Sequence, residues 1–171
     1  LRRGVSHVYK QYHQNGGSVY THSIDMTKWY DKYVGFPFKH LGDDPTKGID
    51  CVNLLRLVFK QELQIHVPLA SYDFCNIVDE DWFNKTSDQF FEEGIKTKQD
   101  NFGWNKVLIP KQFDILLMSV GSTNVTNHCA MYVGEGKILQ TMFNRDSAVY
   151  PYKTWFKQYT TGIYRWKDLP S

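Results

Sequence analysis

The chain has 171 residues, of which 42% are hydrophobic and 16% aromatic. That length suits one hydrophobic core and is cramped for two, and the composition excludes a disordered or collagen-like chain. With 20 Lys and Arg against 18 Asp and Glu, the formal charge of +2 names no partner; the basic residues are scattered rather than striped, so no nucleic acid is expected.

Residues 1–25 hold the polar run Gln14-Asn15-Gly16-Gly17-Ser18 and show no sustained period, so they read as an arm or linker ahead of a domain over 26–171. From Met26, the residues Trp29, Tyr30, Tyr33 and Val34 recur at helical spacing. They follow the candidate caps Asp25 and Thr27 and precede Gly35 and Pro37, which predicts one short helix. Apolar residues at 51, 54, 55, 58, 59 and 63 predict an amphipathic helix from Cys51 to about Ile65, with Asp50 as N-cap and Pro68 as stop. Residues 70–106 are rich in Asp, Asn and Lys and weakly periodic; they read as mixed helix and loop, with Trp82, Phe83, Phe90 and Phe91 as packing residues.

Beyond Pro110, residues 113–120 read as a buried strand and 121–127 as its turn. Residues 128–133 and 137–142 flank Gly134-Glu135-Gly136 and read as a hairpin. Tyr150, Tyr152, Trp155 and Phe156 belong to a short further segment, and residues 162–166 read as a closing strand. The fold class is therefore α+β, helices first and an antiparallel sheet after. No run reaches the ~18 apolar residues of a membrane span, and the start lacks the order of a signal peptide, so the chain reads as soluble with no membrane partner.

Cys51, Cys75 and Cys129 form an odd set without CxxC spacing, which suggests neither a disulfide framework nor a zinc knuckle. Cys51 stands out because a thiol in the first turn of a helix meets unpaired N–H groups and the positive end of the helix dipole, both of which favour the thiolate. The same N–H groups can hold the oxyanion of a tetrahedral intermediate. In the hairpin, a three-residue connection makes Val133 oppose Lys137, so Ala130 faces Gln140 and His128 faces Met142, with Gln140 on the diagonal of His128. His128 and Gln140 can then touch. Gln140 would accept a hydrogen bond from one imidazole nitrogen and leave the other to deprotonate Cys51. A lone Cys or His is more often a core residue; the combination is what points to a nucleophile and base. Cys129, alternating with His128, reads as core, and Cys75 has no identifiable partner.

From Met26 onward the sequence resembles the NlpC/P60 family of cysteine peptidases, and in particular its bacteriophage tail-associated members. The resemblance is carried by the tract 29–39 (Trp-Tyr-Asp-Lys-Tyr-Val-Gly-Phe-Pro-Phe-Lys), by Gly48-Ile49-Asp50-Cys51, by Pro110 with Asp114-Ile115-Leu116, by the tract from Asn127 to Gln140, and by Gly162-Ile163-Tyr164-Arg165. It implies a papain-like α+β core with Cys51 as nucleophile, His128 as base and Gln140 as the third, polar residue, a slot the family often fills with His. It further implies cleavage of peptidoglycan stem peptides, commonly between D-γ-glutamyl and a diamino acid, with no metal or cofactor. Other phage tail proteins would be its partners, and a virion tail or bacterial envelope its location. Asp50 is read as N-cap first and substrate contact second; Tyr33 and His40 are read as lining the substrate groove. Leu41, Asn53 and Phe113 stand where the family usually has Gly or another small residue. A catalytically silent tail assembly or binding module and a CHAP-type amidase are the rival readings.

Overall fold

The computed structural model describes residues 28–67, 104–121 and 126–170. The arm 1–25, the aromatics at 82, 83, 90 and 91, Pro68 and Cys75 lie outside the described residues. What is described is an α+β structure built on a six-stranded antiparallel sheet. Its strands are β3 (Trp104–Lys106), β4 (Ile115–Met118), β5 (His128–Gly134), β6 (Lys137–Met142), β7 (Arg145–Pro151) and β8 (Thr160–Trp166). Their spatial order is β3-β8-β4-β5-β6-β7. A two-stranded ladder, β1 (Asp43–Asp44) with β2 (Gly48–Ile49), leads directly into helix α1 (Cys51–Val58).

Alternation along the strands divides the interior into two apolar layers. Ile115 and Leu117 of β4, Cys129, Met131 and Val133 of β5, and Leu139 of β6 share one layer with Leu54, Leu55 and Val58 of α1. Leu116, Met118, Ala130, Ile138 and Ile163 form the other, covered by Tyr150, Tyr152 and the short helix α2 (Thr154–Tyr159) through Phe156. α1 lies against β5 and β6, which is what brings its first residue to the hairpin.

The expected helix from Met26 is reduced to one 3-10 turn, Asp31–Tyr33. Tertiary hydrogen bonds win over helical spacing here. Ser147 of β7 donates its Oγ–H to the Tyr33 carbonyl (2.6 Å), accepts the Phe36 N–H on Oγ (2.8 Å) and exchanges backbone bonds with Gly35 and Phe36. Downstream, α1 is shorter than its apolar pattern, because from Phe59 to Leu63 it widens into a π turn that ends at Gln64 with φ 57°.

The hairpin forms as expected over most of its length, with Met131 opposite Leu139 and Tyr132 opposite Ile138. Val133 does not oppose Lys137: the register slips there and Gly134 takes that partner. The connection is then two residues, Glu135 and Gly136, with φ of 51° and 66°, the left-handed pair that a tight hairpin turn with matching twist requires. β7 and β3 are edge strands that the sequence pattern hardly marks, one closed by Pro151 and the other only three residues long.

One buried ion pair ties the entry to β4 to its neighbour β8. Arg165 of β8 donates Nε–H to Asp114 Oδ1 (2.9 Å) and Nη2–H to Oδ2 (2.7 Å), and Asp114, fully buried, also accepts the Lys111 N–H (2.7 Å). A forked guanidinium–carboxylate contact of this kind is costly to break from one side, since a buried charge is left without its partner. Asp114→Ala is therefore expected to lower the unfolding free energy by about 3–5 kcal/mol in a denaturant titration. Asp114→Leu combined with Arg165→Met should cost clearly less than the sum of the two single changes, and strict additivity would contradict the coupling.

Candidate active site

The tract before α1 is locked by backbone bonds, so the position of Cys51 is set before the helix begins. Ile49 donates its N–H to the Pro37 carbonyl (2.8 Å), Lys39 returns one to Ile49 (3.4 Å), and the Asp50 N–H reaches the Gly42 carbonyl (3.0 Å). The approach is so close that a side chain on Gly48, whose φ is 132°, would run into Lys39 Cβ, and one on Gly42 into the Gly48 carbonyl. Asp50 then caps α1, accepting the Asn53 N–H on Oδ1 at 2.8 Å. The next residue is Cys51, in the first turn, where helix N–H groups have no intrahelical acceptor.

The three residues that the departures from family pattern single out have structural explanations. Leu41 (φ 56°) and Phe113 (φ 72°) both hold the left-handed backbone that a glycine adopts without cost. Phe113 offsets this by packing its ring on Trp29, with centroids 4.8 Å apart. Asn53 does not face the pocket: its Nδ2–H donates to the Gly42 carbonyl (3.0 Å) and its Oδ1 accepts from Arg56 Nη1 (2.9 Å). The side chain therefore ties α1 to the loop that delivers Cys51.

His128 and Gln140 meet as strand alternation requires, with His128 Nε2 2.7 Å from Gln140 Oε1. An amide oxygen only accepts, so Nε2 carries the proton, and Nδ1 is the nitrogen left for Cys51. Gln140 is held in that orientation by its own Nε2–H donated to Met142 Sδ at 3.4 Å. Cys51, His128 and Gln140 are all buried. The Cys51 thiol is held well below its usual range, first by a hydrogen bond from the Cys129 thiol, against the cost of burial, and then by the bond and charge of His128. On His128, burial works against the imidazolium, but the Cys51 thiolate and the Gln140 amide outweigh it and the ring is pushed up. Cys129 goes the other way: burial first, then the charge of Cys51, keeps it a thiol.

A small pocket, partly open to solvent, lies over this group and is lined by Phe38, Cys51, Val120, Asn127, His128, Thr141, Met142 and Phe143. Phe38 and Phe143 stand edge to face at 5.8 Å on its wall. Asn127 is pinned from below, its amide exchanging two bonds with the backbone of Val120 (2.8 and 2.9 Å). Of the expected groove residues, Tyr33 is corrected: it is buried in the core, its ring against Trp29 and Phe36 and its hydroxyl donated toward Glu62 (2.7 Å) and Gln61 (3.0 Å). His40 is half-buried and not part of the pocket lining, and Asp50 spends Oδ1 on its cap. Met142 was within reach of the same strand arithmetic that pairs it with His128; Phe38, Thr141 and Phe143 had no sequence signal of their own. Among the described residues, no group of three or more His, Cys, Asp or Glu is placed to hold a metal ion, and no helix is long and apolar enough to cross a membrane.

Comparison with known proteins bears on this geometry. A model of the NlpC/P60 family matches residues 35–165. The chain is 24% identical over 150 residues to the Gamma-DL-glutamyl hydrolase of Bacillus subtilis (strain 168); the match covers 87% of the chain and 30% of that protein, so the chain spans under a third of the relative's length. Among solved structures, an NlpC/P60 family protein from Bacillus cereus ATCC 10987 matches with a TM-score of 0.52 at 14% identity, covering 79% of this chain and 37% of that one. The NlpC/p60 domain of the peptidoglycan hydrolase SagA matches with a TM-score of 0.48 at 20% identity, covering 77% and 88%.

The opposite shifts on Cys51 and His128 fix the sign of a pH effect. A lowered thiol stays ionised further into acid, and a raised imidazole stays charged further into base, so the ion pair spans the interval between the two. Alkylation of Cys51, followed by peptide mass, should therefore persist at pH values where ordinary thiols have stopped reacting, and His128→Ala should move its acid limb upward. Reaction of Cys51 only in the usual thiol range would contradict the pairing.

Proposed function

The chain belongs to the NlpC/P60 family, and from that premise we propose that it is a thiol hydrolase that cuts peptide bonds in the stem peptides of bacterial peptidoglycan. The observation that carries the reading is the His128 Nε2–Gln140 Oε1 bond of 2.7 Å, which turns the other imidazole nitrogen toward a thiol at a helix start. In this scheme the Cys51 thiolate attacks the scissile carbonyl, and helix-start N–H groups receive the oxyanion. His128 gives its Nδ1 proton to the leaving amine as the thioester forms. It then takes a proton from the water that releases the acid and regenerates Cys51. Gln140 keeps the ring in the required tautomer throughout. No metal or cofactor enters any step.

The bond favoured is the one between D-γ-glutamyl and a diamino acid, the choice supported by the resemblance and by the name of the Bacillus subtilis relative. A place on a phage tail, with other tail proteins as partners, rests on the resemblance to tail-associated members; it would be tested by identifying the chain in purified virions. The silent-module reading draws on Leu41, Asn53 and Phe113. It is disfavoured by Leu41 and Phe113 keeping the left-handed backbone and by Asn53 turning toward Gly42.

Purified cell wall incubated with the protein is expected to yield new free amino groups, and mass analysis of the fragments should show cuts within the stem peptide. Cys51→Ala should abolish release, and His128→Ala should slow it by about 10²–10⁴-fold. Equal release by Cys51→Ala would sink the proposal, and fragments cut between sugar and peptide would replace it with the amidase reading.

A further inference from the structure

The pocket over Cys51 and His128 has a chemical character that the proposed mechanism leaves unused. Phe38 comes from the loop that delivers Cys51, where it bridges to Ile49, and Phe143 is the first of the two residues that turn β6 into β7. Their rings meet edge to face with centroids 5.8 Å apart, so the two flanks of the site touch through aromatic carbon. Val120 and Met142 extend this apolar wall. Thr141 and Met142 are consecutive, and plain strand alternation would send them to opposite faces. The register of β6 with β7 slips between Gln140 and Met142, and both side chains line the pocket.

The polar atoms of the lining are engaged with the protein itself. Asn127 accepts the Val120 N–H on Oδ1 (2.8 Å) and donates Nδ2–H to the Val120 carbonyl (2.9 Å), and Thr141 donates its hydroxyl to the Arg145 carbonyl (3.2 Å). Met142 Sδ receives the Gln140 amide (3.4 Å), and His128 Nε2 is bonded to Gln140 Oε1 (2.7 Å). A substrate group entering here exchanges water for apolar surface. A carboxylate or ammonium would lose its hydration without gaining a partner, whereas an alkyl group gains in proportion to the area it buries.

We infer that this pocket is a specificity subsite that takes a short, uncharged alkyl side chain on a residue adjoining the scissile bond, with Phe38 and Phe143 as its specificity-determining wall. The subsite rests on the proposed role of Cys51, since a carbonyl at that sulfur brings a neighbouring side chain to the pocket. It adds to that role a choice of substrate. The charged groups of a stem peptide stay on the solvent side, and what enters lies in size between methyl and isopropyl, because the pocket is small. Phe143 is half exposed at a turn tip, so it can be exchanged without disturbing the core.

The experiment measures kcat/KM of the full chain on two series of synthetic peptides, in which the residue on the acyl side or the one on the amine side of the scissile bond is alanine, valine, glutamate or lysine. At one of the two positions, the alanine or valine peptide is expected to be cut about 10²-fold faster than its glutamate and lysine counterparts. Phe143→Ala removes half of the aromatic wall and should lower that preference about tenfold. Phe143→Arg places a cation at the rim and should move the glutamate-to-lysine ratio about tenfold toward glutamate at that position and not at the other. Each ratio is taken within one protein, so a loss of folded material in a variant does not move it. Equal rates for alkyl and charged residues at both positions, or Phe143 variants that keep the wild-type ratios, would overturn the subsite while leaving Cys51 as nucleophile. Peptides cut no faster by wild type than by Cys51→Ala would overturn the hydrolase reading itself and the subsite with it.

Discussion

The energetic constraint on which the proposed catalytic site depends is the burial of the Cys51–His128 ion pair. Taking a thiolate and an imidazolium out of water costs several kcal/mol for each, and their attraction repays this only where hydrogen bonds satisfy what the charge leaves open. Cys51 and His128 are both buried, so the partners around them have a physical purpose: the helix start at the sulfur and the Gln140 amide on the ring. Gln140 needs no charge for this task, because the pair supplies its own. A neutral amide avoids bringing a third charge into the apolar surroundings, where a carboxylate would carry its own desolvation penalty.

Holding such a pair also demands that two separate pieces of chain arrive at one place with little slack. β5 is fixed by ladders to β4 and β6 on its two sides, so His128 has a rigid base. α1 has no such ladder. Its start is fixed instead by β1 and β2, by the bond from Asp50 N–H to Gly42, and by the second bond that Asn53 makes to the same carbonyl. Gly42 and Gly48 are small because the strands pass too close for a Cβ, which makes the loop and the helix start one unit. Asn53 is better understood as part of this unit than as an intrusion into the groove.

Much of this was legible in the chain itself. The helix at Cys51 announced its cap and its apolar stripe, and the hairpin announced its turn. Period-2 alternation was enough to bring His128 to Gln140 without any structure, since a register error at the turn does not propagate if a bulge absorbs it. The slip at Val133 is such a bulge. What failed to show were elements whose stability is wholly tertiary. The 3-10 turn at Asp31–Tyr33 carries a helical pattern but gives its carbonyl to Ser147, more than a hundred residues away. β7 is an edge strand with one buried residue, Ser147, so no apolar alternation marks it. Closeness to the Cys51 loop in sequence suggests a groove position for Tyr33; its ring instead completes the core between Trp29 and Phe36.

The left-handed residues carry the same lesson further. Leu41 and Phe113 look like departures when residue types are compared, yet each retains the backbone for which a glycine would be chosen. A non-glycine residue in that region costs on the order of 1 kcal/mol, and the surrounding bonds must exceed it. At Phe113 the compensation is visible in the Trp29 contact and in the Phe113 N–H donated to Tyr132 at 2.8 Å, which fixes the entry to β4. At Leu41 the neighbouring Gly42 carbonyl accepts from both Asp50 and Asn53, so the loop is held by hydrogen bonds that do not depend on the residue at 41. Backbone geometry at these two places is therefore imposed by the framework around the start of α1 and the entry to β4.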